Sequence, residues 1–326
     1  MAQLSAPLTA FTATLFVTWL LASGRLSFVA LDHPKPRSLH EAPVPRAGGI
    51  GLLAGVLLAL GIIAPNLPLA TGVALGVLIL ISLLDDLRGV PAIWRLLAHL
   101  LAAGLFAAAV LPGEYGFVAL AATALAIAWM ANLYNFMDGS DGLAGGMTAI
   151  GFFIYGVAAW LGGSTEFALV NVSIAAAAVA FLVFNFHPAR IFMGDVGSVP
   201  LGFLAGAFGL IGWLRHDWTW WFPLLVFSPF IVDASVTLAR RLARREKVWE
   251  AHRDHYYQRL VRLGLGHRRT AIAEYWLMAG CGLLALTALR QTPPVQAMLL
   301  AAAAAAYAGL IAAIGRAWRR KAVNGK

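Results

Sequence analysis

The chain has 326 residues, 60% of them hydrophobic and only 12% charged, with a mean hydropathy of +0.78 and a formal net charge of +9. Those values exclude an ordinary soluble domain and a disordered chain, and they point to a polytopic membrane protein. The single cysteine, Cys281, lies in an apolar run, so no intrachain disulfide can form.

Crossing the hydrocarbon takes roughly 17–25 apolar residues. About eleven runs qualify, near 7–29, 48–65, 68–84, 94–111, 115–131, 144–161, 167–184, 198–214, 219–238, 271–289 and 295–315, with ten as the lower count. In lipid every backbone group must find an internal partner, and the runs lack strand-like alternation, so the expected fold is all-α. The first base, Arg25, comes late in the first run, which reads as a retained span rather than a cleaved leader. The alanine run 301–306 suits close helix packing.

Orientation follows from where Lys and Arg fall. The first connection, every second one after it and the C-terminus hold 21 of the 24 Lys and Arg residues. That side is expected to be cytoplasmic, with the N-terminus outside and the C-terminus inside. The positive charge is thereby a topology signal, and no nucleic-acid partner is expected.

The carboxylates and histidines concentrate on the same side, in connections near 30–48, 85–95, 132–144, 185–198 and 239–270. The opposite connections, such as "PNLP" and "GGSTE", are too terse to build a site. The first basic connection, "LDHPKPRSLHEAPVPRAGG", is stiffened by proline and offers His40 and Arg46 to an anionic substrate, although it could equally be a basic membrane-edge loop. In the second, adjacent Asp85 and Asp86 end an apolar run, where a divalent cation, Arg88 or Arg95 must offset their repulsion. A plain polar helix cap is the competing explanation.

The third connection, "NLYNFMDGSDGLAGG", spaces Asn132, Asn135, Asp138 and Asp141 three residues apart. On a helix the first three share one arc, and Gly139 and Gly142 let the chain turn Asp141 back toward them. A capped helix–turn–helix accounts for Asp141 and Gly139 but not for the asparagines. In the fourth, Asn185 and Phe192 precede "GDVGS", where a helix starting near Ser198 would aim its positive end at a phosphate. Asp195 there suits a Mg²⁺ ligand. In the fifth, His252 and His255 are three apart on one helical face, with Arg253 beside them. They can hold phosphate or move protons, and no third ligand stands at zinc spacing.

Taken in order, "P-x-P-R-x-G-G", "DD", "N-x-x-N-x-x-D-G-x-D-G-L-A", "N-x-x-P-A-x-x-F-M-G-D-x-G-S" and a His-containing last basic loop resemble the polyprenyl-phosphate N-acetylhexosamine-1-phosphate transferases, glycosyltransferase family 4. The match covers nearly the whole chain, 1–326, as one transmembrane transferase domain. The last loop, "AHRDHYYQRL", departs from the three consecutive histidines of the phospho-N-acetylmuramoyl-pentapeptide translocases and is similar to enzymes that initiate O-antigen and related lipopolysaccharide or cell-wall glycans. The resemblance implies a multi-pass inner-membrane phosphotransferase with its site on the cytoplasmic face. It would move a sugar-1-phosphate from a UDP-sugar, UDP-GlcNAc or a related UDP-N-acetylhexosamine, to undecaprenyl phosphate, releasing UMP with Mg²⁺ or Mn²⁺. It implies Asp195 and Asp138 at the metal, and Asp85 or Asp86 at the lipid phosphate. Asn132, Asn135, Asp138 and Asp141 would lie at the sugar nucleotide, Asn185 and Phe192 at the uridine, and His252, Arg253 and His255 at the diphosphate. Membrane lipids are partners, a homodimer is left open, and so is direct attack against a phospho-aspartate intermediate. The alternative is an ion-coupled transporter or lipid flippase, for which Asp233 is the one clear intramembrane acid.

Overall fold

The computed structural model describes residues 2–24, 31–32, 43–247 and 252–324. Thirteen α-helices run through them. The first eight are α1 (Ala6–Ala22), α2 (Gly48–Ile63), α3 (Leu69–Arg88), α4 (Ala92–Val110), α5 (Gly116–Met137), α6 (Leu143–Leu161), α7 (Thr165–Asn185) and α8 (Asp195–Leu214). After them come α9 (Phe222–Val226), α10 (Ser228–Ala243), α11 (Tyr256–Leu260), α12 (Gly266–Ala288) and α13 (Pro293–Asn324), with a π-helical turn, Val261–Leu265, between α11 and α12. Two-residue strands β1 (Leu31–Asp32) and β2 (Val44–Pro45) pair antiparallel. The chain is an all-α, multi-pass membrane protein, as its hydropathy dictates.

All eleven apolar runs carry helix. Among the described residues eight helical stretches are long and apolar enough to span a bilayer, and α1 and α2 are shorter apolar helices. Two runs differ from expectation. The first helix stops at Ala22, well before residue 29, because Ser23 closes its last turn and Gly24 follows at φ +68°. The run 219–238 is broken at Phe227, where the chain leaves helical geometry and Pro229 supplies no N–H to continue the ladder.

The bundle is organised around α8, nearly all of whose side chains are buried. It packs against α2, α3 and α5, while α1 lies on α2 and α7, and α12 lies on α6. The α2–α8 crossing is a backbone contact: a Cβ on Gly49 would sit 2.4 Å from both N and Cα of Gly197. Toward α9 the interior fills with aromatic rings, with Tyr155 stacked on Trp218 at 4.8 Å between centroids.

The two ends of the bundle differ. At one, short ties close the turns: Arg215 donates to the Asn66 carbonyl at 3.1 Å, Glu166 accepts from the Asn66 N–H at 2.9 Å, and Ser164 donates to Asp217 at 2.6 Å. At the other lie the arginine-rich connections and almost every remaining acid. Replacing Gly49 with alanine is expected to lower the thermal midpoint of the detergent-purified protein by an amount worth about 1–3 kcal/mol of overpacking. Gly61→Ala, on the same helix with open space around its Cβ, should leave it unchanged.

Candidate active site

The site is assembled by a backbone stitch. The Phe192 N–H donates to the Pro45 carbonyl at 2.8 Å, and the Gly48 N–H donates to the Phe192 carbonyl at 2.9 Å, so Arg46 and Phe192 form a parallel bridge. This joins the 30–48 connection to the 185–198 connection and sets Arg46 beside the start of α8. Arg46 Nε lies 3.2 Å from Asp86 Oδ1, and its Nη2 pairs with Asp195 Oδ1. Arg95 on α4 completes the cluster: Nη1 is 2.5 Å from Asp85 Oδ2 and 3.1 Å from Asp195 Oδ2. Arg46 and Arg95 thus bridge Asp85 and Asp86 at the end of α3 to Asp195 at the start of α8.

Asp86 has a second task. Its carboxylate accepts the backbone N–H groups of Asp195 at 3.2 Å and Val196 at 2.9 Å, capping the positive end of α8. The helix therefore begins at Asp195, three residues before Ser198, and its first donors are taken by a carboxylate. The expectation of a helix end open to phosphate fails for that reason. Gly194 turns the chain at φ +76°, and a Cβ there would meet Asp86 Oδ2 at 2.9 Å, so both conformation and space require glycine.

Asn135 on α5 donates to Ser198 Oγ at 3.1 Å and lies against Asp195. Asp138, the residue after α5, sits within the field of Arg46, Asp195 and Asp86. Burial pushes its carboxyl well above the usual carboxylate range. Arg46 pulls it down, and the two neighbouring acids add to the rise. Among the described residues no hydrogen bond reaches the Asp138 side chain. Asn132 donates to the Ala128 carbonyl at 2.7 Å and its side chain also meets His99 on α4.

Asp141 does not join this cluster. Its Oδ2 lies 2.6 Å from His187 Nδ1 and accepts the Ala189 N–H at 3.2 Å, and its Oδ1 is 3.8 Å from His267 Nδ1. The two imidazoles stack with centroids 5.4 Å apart and planes 4° from parallel. One ligand atom from each of the three residues falls within 4.8 Å of the others, an arrangement able to hold a metal ion. Neither histidine stands out in the sequence, because each lies in a different connection with no periodic partner.

The remaining candidates serve the framework. Asn185 is buried, accepting from the Gly142 N–H at 3.1 Å and donating to the Ile191 carbonyl at 2.9 Å. Its amide locks two connections together rather than facing a base. Phe192 contributes its backbone to the stitch. His252 and His255 precede α11 instead of sharing a helical face. His255 is buried with Nδ1 3.2 Å from Asp233 Oδ1, and Asp233 also accepts the N–H groups of Tyr256 and Tyr257 at 2.9 Å each. Asp233 is thus an interhelical clamp that holds α11 to α10, which removes the one acid offered for ion coupling. Arg253 is half-exposed, with no ion pair among the described residues. His40 lies outside the described residues. Tyr257, which was not a candidate, reaches the Phe136 carbonyl at 3.2 Å and links this region to the end of α5.

The acid cluster fits a hard divalent cation. Its donors are carboxylate oxygens, and among the described residues the Asp138 oxygens have no hydrogen-bond partner, with Asp86 and Asp195 close by. The chain is similar to known proteins over most of its length. Residues 68–212 match Glycosyl transferase family 4. The chain is 30% identical over 279 residues to the Bacillus subtilis (strain 168) protein named "Probable undecaprenyl-phosphate N-acetylglucosaminyl 1-phosphate transferase", covering 80% of this chain and 78% of that one. It is also 30% identical over 317 residues to the decaprenyl-phosphate N-acetylglucosaminephosphotransferase of Mycolicibacterium smegmatis, covering 82% and 77%. Likeness to the phospho-N-acetylmuramoyl-pentapeptide-transferase of Geobacillus sp. is higher, 51%, but spans only 71 residues, 22% of each chain.

Burial, with His255 and Arg241 adjacent, lowers His252 from 6.5 to about 4. Between those values the unfolded chain binds a proton that the folded chain does not, so stability falls as pH drops through that window. The thermal midpoint of the purified protein should fall less between pH 7 and pH 4.5 in His252→Gln than in the unaltered protein, as read by differential scanning fluorimetry.

Proposed function

The chain belongs to glycosyl transferase family 4, membrane enzymes that transfer a sugar-1-phosphate to a polyprenyl phosphate, and on that premise we propose a donor, an acceptor and residue roles. The donor is UDP-GlcNAc or a related UDP-N-acetylhexosamine, and the acceptor is undecaprenyl phosphate. An oxygen of the acceptor phosphate attacks the sugar-bearing β-phosphorus, the anhydride bond to the α-phosphate breaks, and UMP leaves with the bridging oxygen. The product would start a surface glycan at the cytoplasmic face of the inner membrane. The observation that carries this reading is the convergence of Asp85, Asp86, Asp138 and Asp195 with Arg46 and Arg95 at the basic end of the bundle.

Asp195 and Asp138 would hold Mg²⁺, which when bound offsets negative charge on the donor's diphosphate. Arg46 and Arg95 are each bridged between carboxylates, so an arriving phosphate can draw their guanidinium groups away from acids that a cation then satisfies. Bringing one phosphate against another is the main electrostatic barrier, and positioned cationic donors lower it. Asp85 is the better candidate for meeting the acceptor. Its side chain is 12% exposed against 4% for Asp86, whose oxygens are committed to α8 and Arg46. Asp86 is then a positioning residue. Asp141 with His187 and His267 would receive the uridine, where imidazole faces and hydrogen-bonding nitrogens are together.

Purified protein given undecaprenyl phosphate, Mg²⁺ and a panel of UDP-sugars is expected to release UMP with an N-acetylhexosamine donor, and its absence with every donor overturns the reading. Asp195→Asn removes one charge with little change in volume and is expected to cost about 10²-fold or more in kcat. Arg46→Gln should raise KM for the nucleotide sugar as well as lowering kcat. Unchanged turnover of Asp195→Asn across a Mg²⁺ titration would refute the metal assignment.

A further inference from the structure

The arginines around α11 form a second charged centre to which the reading above assigns no role. Arg259 is only 8% exposed, yet among the described residues its Nε has no hydrogen-bond partner. Its guanidinium lies 5.0 Å from the centre of the Tyr256 ring and 6.0 Å from that of Trp318. Arg240 lies over the same Tyr256 ring at 5.4 Å and donates to its hydroxyl, and Arg262 lies over Trp318 at 4.9 Å. Three guanidiniums therefore alternate with two aromatic rings. Arg244 and Arg319 add their positive fields to that of Arg240.

Among the described residues the acids nearest Arg259 are Asp254 and Asp233, and both are engaged elsewhere. Asp254 is paired with Arg241 at 2.5 Å, and Asp233 is occupied by His255 and the start of α11. Cation–π contacts steady each guanidinium but leave its net charge in place. An unpaired buried Nε among like charges calls for an anion, and Arg forks on aromatic faces match phosphate oxygens.

The position suggests where the phosphate comes from. Trp318 lies near the basic end of α13, a helix whose spanning window is only 6% buried against the rest of the protein. Eight residues before it, about 12 Å along the helix by its rise, a groove of about 340 Å³ opens between α12 and α13, lined by Trp276, Leu284, Ala303 and Leu310. An apolar groove beneath a cationic, aromatic rim matches a lipid with an acyl chain below and a negative headgroup above.

We propose that Arg240, Arg259 and Arg262, set around Tyr256 and Trp318, bind the phosphate of an anionic phospholipid whose acyl chain occupies the groove between α12 and α13. The site is separate from the acid cluster and is not required for the chemical step. Full-length protein in a neutral detergent is titrated with phosphatidylglycerol or phosphatidylcholine, with the thermal midpoint and retained lipid read by fluorimetry and native mass spectrometry. Phosphatidylglycerol is expected to raise the midpoint and survive as an adduct, and phosphatidylcholine to do neither. Arg262→Gln, at the exposed rim, should weaken the apparent affinity roughly tenfold through one lost charge-assisted contact while UMP release in detergent is retained. Arg259→Gln should act in the same direction. Equal effects of the two lipids, or an Arg262→Gln protein that binds phosphatidylglycerol unchanged, would overturn the proposal. It would also fail if inorganic phosphate alone reproduced the shift, which would mark a free-phosphate site. Undecaprenyl phosphate displacing phosphatidylglycerol, with transfer lost in Arg262→Gln, would assign the site to the acceptor instead.

Discussion

Everything at the basic end of the bundle rests on two arginines offsetting the repulsion among three carboxylates. Asp86 and Asp195 are close to fully buried, so without counter-charge neither could stay ionised there. Arg46 and Arg95 each remain one-third exposed, which moderates the desolvation cost and keeps both side chains within reach of solvent and ligand. Their pairing also has a structural effect. It fixes the end of α3, the start of α4 and the start of α8 relative to one another, while the β-stitch through Phe192 holds Arg46 in place.

That arrangement explains why the acids fall at helix ends. A carboxylate in mid-span would have to be neutral or paired at high cost, whereas at the end of a span it can serve the neighbouring helix as a cap and still meet water-borne ions. Asp86 caps α8 from the end of α3, and Asp233 caps α11 from within α10. In both cases an acid aligned with exposed N–H groups lets two helices meet at a defined angle. On the proposed reading the acceptor's tail would hold its phosphate near these helix ends, so a site here would meet both a membrane-bound and a water-borne reactant.

Much of this was legible in the sequence because hydropathy marks spans and lipid tolerates little else. The helix positions and the crowding of polar chemistry at one end follow from apolar runs and Lys and Arg placement, whereas the grouping of Asp86, Asp138 and Asp195 at one site was implied by the resemblance to a family. What escaped depends on side-chain direction and on contacts between distant segments. Nothing in "FNFHPAR" or "GHRRT" announces that His187 and His267 stack beside Asp141. The His252–His255 spacing looked helical, yet α11 begins only after His255, since Asp233 supplies the cap from the preceding helix. The resemblance placed Asn185 at the uridine; its amide satisfies two backbone groups of the adjoining turns. The break at Phe227 was hidden by hydropathy, which does not register a proline's missing donor.

The touching glycines of α2 and α8 divide the site into two kinds of wall. On the side of Arg46 and Asp195, main chain meets main chain with no side chain between to repack, so that wall has little freedom to change shape. On the side of α10 and α11, contact runs through side chains: Asp233 holds His255 and the start of α11, and Tyr257 reaches the end of α5. A small molecule designed against the first wall would meet the same surface in any relative that keeps both glycines. Discrimination between such relatives has to be sought across the cleft, where side chains and not main chain make the contact.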